Sequence, residues 1–340
     1  MAGGRRRGER LTRRPVDDED RLARAGRGSR PRSRLRPSHE DASQARVVTV
    51  DRGRYSCLLN DGTPLTAMRA RELGRRAVVV GDEVAVVGDV SGNADTLGRI
   101  VRIDARRSVL RRTADDVDPV ERVLVANADQ MVVVCSVTEP PPQPRLVDRC
   151  LVAAEDAGVR PVLCVTKTDL GGADDLLAVY RDVADLDVVL SGFADGGSGR
   201  TRLAALLHDH VTVFVGSSGV GKSTLVNSLV PDAEQRVGAV SEATGKGIHT
   251  TTAAIALPLP DSSGWVVDTP GVRSFGLAHI DRDRLVHCFP DLSPGTAECP
   301  GDCDHLDPEV CALDEWVADG HAHPERLDSL RRLLVNRDAG

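Results

Sequence analysis

A phosphate-binding loop has the clearest chemistry in this 340-residue chain. It reads G-x-x-x-x-G-K-[ST] and consists of Gly216, Ser217, Ser218, Gly219, Val220, Gly221, Lys222, Ser223 and Thr224. Glycines allow the backbone N–H groups to turn toward a β-phosphate, Lys222 can reach the β- and γ-oxygens, and the Ser223 hydroxyl can ligate Mg²⁺. The pattern, between a β-branched run and an apolar helical pattern, predicts a nucleoside triphosphatase.

Two further segments are expected at the phosphates. Asp268 and Gly271 form an Asp-x-x-Gly sequence after a short apolar run, and they can hold the Mg²⁺ shell and sense a γ-phosphate. The Gly-rich stretch 245–252 ends in three threonines. Any of these hydroxyls could complete the metal shell, and we predict that Thr251 does so.

A base-recognition sequence, Thr-Lys-Thr-Asp at 166–169, follows a strand pattern at 160–165. Asp169 would accept the two guanine N–H donors, and Lys167 would lay its stem along the base. A solvated turn is the alternative, but of the 44 basic residues only three are lysines, and all lie in these candidate segments. In an ordinary GTPase this sequence follows the phosphate loop, whereas here it precedes the loop, so the motif order is rotated.

A metal site is predicted near the C-terminus. Cys299, Cys303, His305 and Cys311 show Cys-x₃-Cys-x-His-x₅-Cys spacing, which fits a closed tetrahedral zinc site with a structural role. The nearby residues that could compete are interpreted as packing or surface residues: Cys288, His287, His321 and His323. A last helix is expected from Pro324 to about Asn336.

Composition limits the class of protein. The chain is 41% hydrophobic and 28% charged, as expected for a globular protein of two or three domains. The longest apolar run, 131–137, is too short to span a bilayer and no signal peptide is evident, so we expect a cytoplasmic protein without membrane contact. Eight cysteines in that compartment favour thiols or metal over disulfides.

The N-terminal region differs from the rest in charge. Residues 1–43 hold thirteen arginines and seven acids with few aliphatic residues, which predicts a disordered basic arm. The whole chain carries a net charge of −7. The remainder is therefore acidic, and any contact with nucleic acid must be local.

Residues 44–112 predict a small β-barrel of the OB type. The five expected strands are 46–50, 55–59, 77–80, 83–87 and 98–103. Arginines near the end of this region, including Arg106 and Arg107, could follow an RNA backbone, with Tyr55 as the one aromatic residue for base stacking. A solvated basic face is the alternative.

The combined motifs resemble one family, the circularly permuted, ribosome small-subunit-dependent GTPase A (RsgA/YjeQ). Besides the segments above, the resemblance rests on Val-Val-Gly-Asp at 79–82, Ala-Asn-Ala-Asp at 126–129 and Gly-x-His-Thr-Thr-Thr at 247–252. It covers about residues 44 to 335. It implies an OB domain that binds RNA (44–112), a circularly permuted P-loop α/β GTPase domain (113–280) and a zinc-binding, mostly helical domain (281–340).

The resemblance also implies a function: GTP hydrolysis to GDP and phosphate in the late maturation of the small ribosomal subunit, with rRNA as a partner and the subunit as activator. We expect a monomer. Three departures stand out. Thr166 replaces a usual Asn and is expected to loosen the tie to the phosphate loop. Ser191 is followed by Gly192 instead of Ala, although its N–H should still meet guanine O6, and the spacing of the first two cysteines leaves Cys299 uncertain as a ligand.

The catalytic group is less clear from the sequence. Val272 stands where a glutamine commonly orients the attacking water, so slow intrinsic hydrolysis is expected. His249 is the nearest side chain able to position water, beside Lys222 and Thr251; the alternative is that His249 packs or contacts RNA. Two other functions stay open: an ATP-dependent P-loop enzyme, and a GTP-sensing RNA-binding module with incidental hydrolysis.

Overall fold

The computed structural model describes residue 39 and residues 41–74, 77–93, 96–113, 121–192, 196–231, 254–260, 263–269 and 275–338. The predicted basic arm therefore lies almost wholly outside the described residues. The same holds for the segment 232–253, which contains His249 and Thr251, and for Gly271 and Val272.

The described strands and helices alternate in the order expected for a barrel followed by an α/β sheet. The strands are β1 (Ser43–Asp51), β2 (Arg54–Leu59), β3 (Pro64–Arg69), β4 (Glu83–Gly88), β5 (Gly98–Ile103), β6 (Val109–Thr113), β7 (Glu121–Ala126), β8 (Gln130–Ser136), β9 (Arg160–Thr166), β10 (Asp187–Ser191), β11 (Val211–Val215), β12 (Ile255–Pro258) and β13 (Trp265–Asp268). The helices are α1 (Pro144–Asp156), α2 (Asp174–Tyr180), α3 (Ser198–Leu207), α4 (Lys222–Leu229), α5 (Arg282–His287), α6 (Leu313–Ala318) and α7 (Pro324–Asp338).

The first five strands close a barrel in the order β1-β2-β3-β5-β4. The expected third strand at 77–80 is wrong, because this segment makes only an isolated bridge from Val80 to Val125. The third strand is β3, which begins at Pro64 and pairs with β2 after the turn at 60–62. Proline is tolerated there because the first position of a strand need not donate to the ladder. Tyr55 is buried in the barrel core, so it is not available to stack on a base.

A six-stranded sheet forms the centre of the chain, in the order β10-β9-β8-β11-β13-β12. All neighbours are parallel except β12 and β13. Helices α1 and α2 pack on one face, with Leu151 and Val179 in the first core cluster. Helices α3 and α4 pack on the other face, with Leu203 and Leu225 in the second. Burial on both faces explains why β8 and β11 read as continuous apolar runs.

The barrel is attached at the edge of the sheet where the parallel strands begin. Asn127 Nδ2 donates to Gly81 O at 3.0 Å, and the Ala126 N–H donates to Val80 O at 3.0 Å. A side chain at Gly81, whose φ is +88°, would place its Cβ 2.1 Å from Ala126 O. Asp129 adds a bond from the Val211 N–H to its Oδ2, at 2.9 Å. The segments 79–82 and 126–129 are therefore joints between barrel and sheet, and they lie away from the nucleotide site.

The C-terminal region packs on α1 around a buried arginine. Arg326 is 1% exposed, donates to Asp148 of α1 at 2.5 Å and makes two bonds to Asp291 at 2.8 and 2.9 Å. Its guanidinium also lies over the Phe289 ring, 4.5 Å from the centroid. Burial raises the pKa of the Asp148 carboxyl, and the positive charge of Arg326 opposes that rise. The ion pair with Asp148 holds the last helix, α7, on α1.

Candidate nucleotide site and metal cluster

The predicted nucleotide segments meet at the carboxyl edge of the sheet. The phosphate loop follows β11, Asp268 ends β13, the base-recognition segment follows β9, and residues 191–192 lie at the end of β10. Open α/β sheets bind ligands at this edge. Strands β9 and β10, which carry the predicted base-binding residues, lie on one side of β8, and β11 and β13, which carry the predicted phosphate-binding residues, lie on the other. This separation suits a nucleotide whose base and phosphates bind at different places along the edge.

The phosphate loop takes the conformation for which its glycines were predicted. Gly216 passes so close to β8 that an added Cβ would lie 2.4 Å from Val134 O. Gly221 has a φ of +93° directly before α4, a left-handed conformation that glycine adopts without strain. Ser217 Oγ donates to Gln143 Oε1 at 2.8 Å, while Ser218, Gly219, Ser223 and Thr224 are exposed. The loop is thus held by its neighbours and still opens its hydroxyls to solvent.

Lys222 and Asp268 form an ion pair at the start of α4. The ammonium donates to Asp268 Oδ1, and the two side chains are 8% and 19% exposed. Thr269 fixes the end of β13, because its hydroxyl donates to Phe214 O of β11 at 2.6 Å. The pair brings the cation expected at the phosphates next to the carboxylate expected in the Mg²⁺ shell. Mg²⁺ prefers oxygen ligands, so the exposed Ser223 hydroxyl and the nearby Asp268 carboxylate suit it.

The base-recognition segment is joined to the phosphate loop by hydrogen bonds from Thr166 and Lys167. Thr166 Oγ1 lies 2.5 Å from Val220 O and 3.1 Å from Cys135 O, so the single hydroxyl proton goes to the nearer carbonyl. Lys167 adds bonds from its ammonium to Gly219 O at 2.9 Å and to Glu139 O. A threonine hydroxyl and a lysine therefore join the two loops.

The close approach of Asp169 explains why glycine stands at position 192. Asp169 is exposed at the end of β9. A Cβ on Gly192 would lie 2.8 Å from Asp169 Oδ1 and 3.0 Å from both Asp169 N and Thr168 Oγ1. Glycine follows Ser191 here because the two strand ends approach too closely for alanine without a shift of the carboxylate.

The sequence analysis missed the segment between β8 and α1. Glu139, Pro141 and Gln143 lie in it; Glu139 accepts from Lys167, and Gln143 from the phosphate loop. The available signal was the run of three prolines at 140–142, which begins four residues after the end of a buried strand. Burial raises the pKa of the Cys135 and Cys164 thiols to about 12, so these cysteines under the site are protonated and unreactive at neutral pH.

The structure brings all four predicted zinc ligands together. Their ligand atoms lie within 4.8 Å of one another. Cys299 Sγ and Cys311 Sγ are 4.0 Å apart, and each is 3.7 Å from His305 Nδ1. A tetrahedral ion with Zn–S bonds of about 2.3 Å needs ligand separations of roughly 3.8 Å, so this set fits zinc, with Cys299 as a member despite its unusual spacing.

Side chains around the cluster support it from α7. Arg331 Nε donates to His305 O at 3.0 Å, and its Nη1 donates to Asp314 at 2.9 Å. The backbone N–H of His305 donates to Cys303 Sγ at 3.4 Å, a bond that stabilises a thiolate. The alternative ligands lie elsewhere: Cys288 in the apolar core, His287 on Ser293, His321 stacked on Trp316, and His323 on the Glu325 N–H.

Comparison with known proteins agrees with this geometry. Residues 103–278 match the family model described as RsgA GTPase. The protein named small ribosomal subunit biogenesis GTPase RsgA from Pseudomonas aeruginosa is 39% identical over 267 residues, which cover 76% of each chain. The protein of the same name from Chlorobaculum parvum is 39% identical over 273 residues, covering 78% of this chain and 87% of the relative.

This chain belongs to the RsgA GTPase family. Among solved structures it is similar to YjeQ from Thermotoga maritima, with a TM-score of 0.67, 26% identity and coverage of 88% of this chain and 99% of the other. YloQ, a circularly permuted GTPase, has the same fold, with a TM-score of 0.65 and 24% identity over 90% and 98% of the two chains. Family membership confirms the rotated motif order, makes the chain a GTP hydrolase and excludes the ATP-dependent alternative.

The structure adds two facts about other predicted properties. None of the eight cysteines, all of which lie within the described residues, forms a disulfide. Within the described ranges, no helix combines the length and the apolar character that crossing a membrane would require.

Proposed function

We propose that this protein hydrolyses GTP on the small ribosomal subunit during the last steps of subunit maturation, in the cytoplasm and as a monomer. The observation that supports this proposal is the hydrogen bond from Thr166 to Val220 of the phosphate loop, which joins two of the nucleotide-binding motifs although their order is rotated. The RsgA relatives are named for small-subunit biogenesis. The proposed domains are those of the sequence analysis: a basic arm to residue 43, then 44–112, 113–280 and 281–340.

In this site each group has a distinct task. Asp169 accepts from guanine, Lys167 lies along the base, and the N–H groups of 191–192 meet guanine O6. The N–H groups of 216–224 surround the β-phosphate, and Lys222 leaves Asp268 to contact the β- and γ-oxygens. Because every one of these contacts is electrostatic or positional, the site stabilises charge in the transition state without a covalent intermediate.

The water-activating groups belong to the segments outside the described residues. We assign His249 to the attacking water, Thr251 and Ser223 to Mg²⁺, and the Gly271 N–H to the γ-phosphate. Mg²⁺ bound with GTP would neutralise charge on the phosphate oxygens. Docking on the subunit would place His249 and Thr251 at the γ-phosphate, and the chain after Gly271 leads directly into the zinc domain. Loss of the γ-phosphate can therefore move the domain that holds the partner.

The zinc cluster has a structural role in this proposal. One Zn²⁺ per chain, held by Cys299, Cys303, His305 and Cys311, would close a loop that otherwise has little apolar material to stabilise it. Together with the Arg331 bonds to this loop, it gives α7 and its neighbours a fixed shape for contact with a partner.

The barrel offers the rRNA surface, although the two arginines first expected there, Arg106 and Arg107, already pair with acidic residues of the chain. Arg106 makes bonds of 2.7 and 2.9 Å to Asp82, which is 0% exposed, so its charge is already used inside the barrel. The outer face instead carries Arg54, Met68 and Arg99 in one cross-strand row over β2, β3 and β5. Both arginines are exposed, and they can contact phosphates without an aromatic stack.

The test is multiple-turnover GTP hydrolysis with and without purified small subunits. We expect a rise of at least roughly tenfold, since groups that a partner supplies to comparable sites give ~10³ to 10⁵ in rate. Large subunits should give little rise. His249→Ala should remove most of the stimulation while GTP binding is retained, whereas His208→Ala, an exposed histidine away from the site, should behave as the parent does.

Equal rates with and without small subunits would reject the proposed activation and favour a GTP-sensing RNA-binding module. Subunit binding gives a separate measurement: Arg54→Ala with Arg99→Ala should weaken binding and reduce its salt dependence while nucleotide affinity is unchanged. The same double change with no effect on binding would show that this face of the barrel is only solvated.

A further inference from the structure

The free edge of the six-stranded sheet is the strongest remaining feature of the molecule. The sheet ends in β12 on one side, where β1 of the barrel lies against it. It ends in β10 on the other side, and β10 pairs with β9 alone among the strands that the structure describes. Strand β10, Asp187–Ser191, contains neither lysine nor proline, the residues that commonly protect such an edge.

The backbone of β10 directs hydrogen-bonding groups outward. The carbonyl of Ser191 accepts from the Thr168 N–H at 3.4 Å, so the backbone N–H and C=O of Ser191 point toward β9. Because successive residues of a strand point their N–H and C=O groups to opposite sides, those of Val188 and Leu190 point away from β9. These groups present a short template for an additional strand.

A cleft of about 570 Å³ lies along this edge. Helices α2 and α3, which pack on opposite faces of the sheet, both contribute to its wall. The apolar part of the lining consists of Leu177, Tyr180, Val183, Leu186, Val188 and Leu190. Leu190 is 44% exposed although it lies in a strand. The cleft therefore occupies the position of a next strand, between the two helical layers.

The charge of the lining selects the partner. Arg181 and Arg202 are the charged residues that line the cleft, both are exposed, and neither makes an ion pair within the described part of the chain. The nearby Asp187 does not line the cleft, and its charge is matched by Arg160 at 2.5 Å. An occupant with acidic and apolar residues would satisfy both arginines, whereas a basic occupant would be repelled.

We propose that this cleft binds an extended segment of a partner protein, with alternating acidic and apolar residues, as a seventh strand beside β10. Side chains of an added strand alternate between the two faces of a sheet. Apolar residues would pack on the α2 side against Leu177 and Val188, and acidic residues would face Arg202 on α3. An acidic residue beyond the paired stretch would reach Arg181, which lies at the end of α2. Main-chain bonds to Val188 and Leu190 would supply binding energy, as in other cases of strand addition.

The experiment titrates the full chain into a fluorescein-labelled decapeptide of alternating valine and glutamate and follows anisotropy. We expect saturable binding that Arg181→Glu with Arg202→Glu weakens at least roughly tenfold, or about 1.4 kcal/mol. The matched control is Arg71→Glu with Arg200→Glu, which makes the same change in net charge at two exposed arginines outside the cleft. This control should stay within roughly twofold of the parent.

Three further probes separate the strand from other modes of binding. A peptide N-methylated at every residue offers no N–H on either edge and should lose binding. Hydrogen exchange should show protection of the Val188 and Leu190 amides with the unmodified peptide. A valine–lysine decapeptide should not bind. Any of three results would overturn the proposal. The acidic peptide does not bind, the lysine or N-methylated peptide binds equally well, or Arg181→Glu with Arg202→Glu weakens only the binding of a single-stranded RNA decamer. GTP turnover of these variants reports separately on the proposed function.

Discussion

Thr166→Val tests whether one hydroxyl joins the base and phosphate segments. Valine has nearly the same shape, and Thr166 is 6% exposed, so the change removes a hydrogen bond without opening a cavity. The partner, Val220 O, belongs to a buried residue of the phosphate loop. A buried carbonyl left without a donor costs about 1–3 kcal/mol. If this whole free energy were lost from nucleotide binding, the affinity for guanine nucleotides would fall by about 5- to 150-fold.

The loss should be equal for GTP and GDP, because the base and the β-phosphate are common to both. The preference for GTP over ATP should be retained, since Asp169 is unchanged. Fluorescent guanine nucleotides titrated against the parent, Thr166→Val and Thr166→Ser measure this, and serine should recover most of the affinity.

Thr212→Val is the matched control for Thr166→Val. Thr212 is fully buried near the start of β11, at the end of the strands opposite the nucleotide site. Its hydroxyl donates to Gln130 Oε1 at 3.3 Å. This variant should lose some stability in urea unfolding and keep its nucleotide affinity. A Thr166→Val protein that binds GDP as tightly as the parent would show that the 2.5 Å contact does not hold the site together.

Three other changes are expected to have separable effects. Asp169→Asn should weaken GTP and favour xanthosine triphosphate, whose C2 oxygen can accept from the new amide, in a competition assay. Cys303→Ala should reduce zinc from about one per chain to near zero by elemental analysis, whereas Cys288→Ala in the apolar core should retain it. Arg326→Leu should lower the free energy of unfolding by about 3–5 kcal/mol, because it leaves two buried carboxylates unpaired, while Arg332→Leu should cost little.

Each of these predictions has an outcome that contradicts it. Unchanged GTP affinity in Asp169→Asn would move the base site elsewhere. A full equivalent of zinc in Cys303→Ala would mean that another side chain completes the ligand set. Equal stability of the Arg326→Leu and Arg332→Leu proteins would show that the buried network contributes no net free energy to holding α7 on α1.

Much of the site was predictable because its residues are local in sequence. The phosphate loop, the base-recognition tetrapeptide and the cysteine–histidine spacing each lie within a short window, and each imposes a chemistry that few residue types can supply. The buried strands β8, β9 and β11 were equally readable, since burial on both faces leaves a continuous apolar run. Strand β3 was missed because it begins with proline and only three of its six residues are buried, which gives a weak pattern.

The sequence by itself indicated the chemistry of this protein: the motifs of a GTPase in rotated order, and four cysteine and histidine residues at a spacing that suits one zinc ion. The tertiary structure alone decided which groups are already paired. Arg106 bonds a buried aspartate, Thr166 bridges two loops 54 residues apart in the chain, and Gly192 makes room for Asp169. These facts depend on contacts between distant segments, and residue type cannot show whether a charge or a hydroxyl is satisfied until the fold has placed its partner.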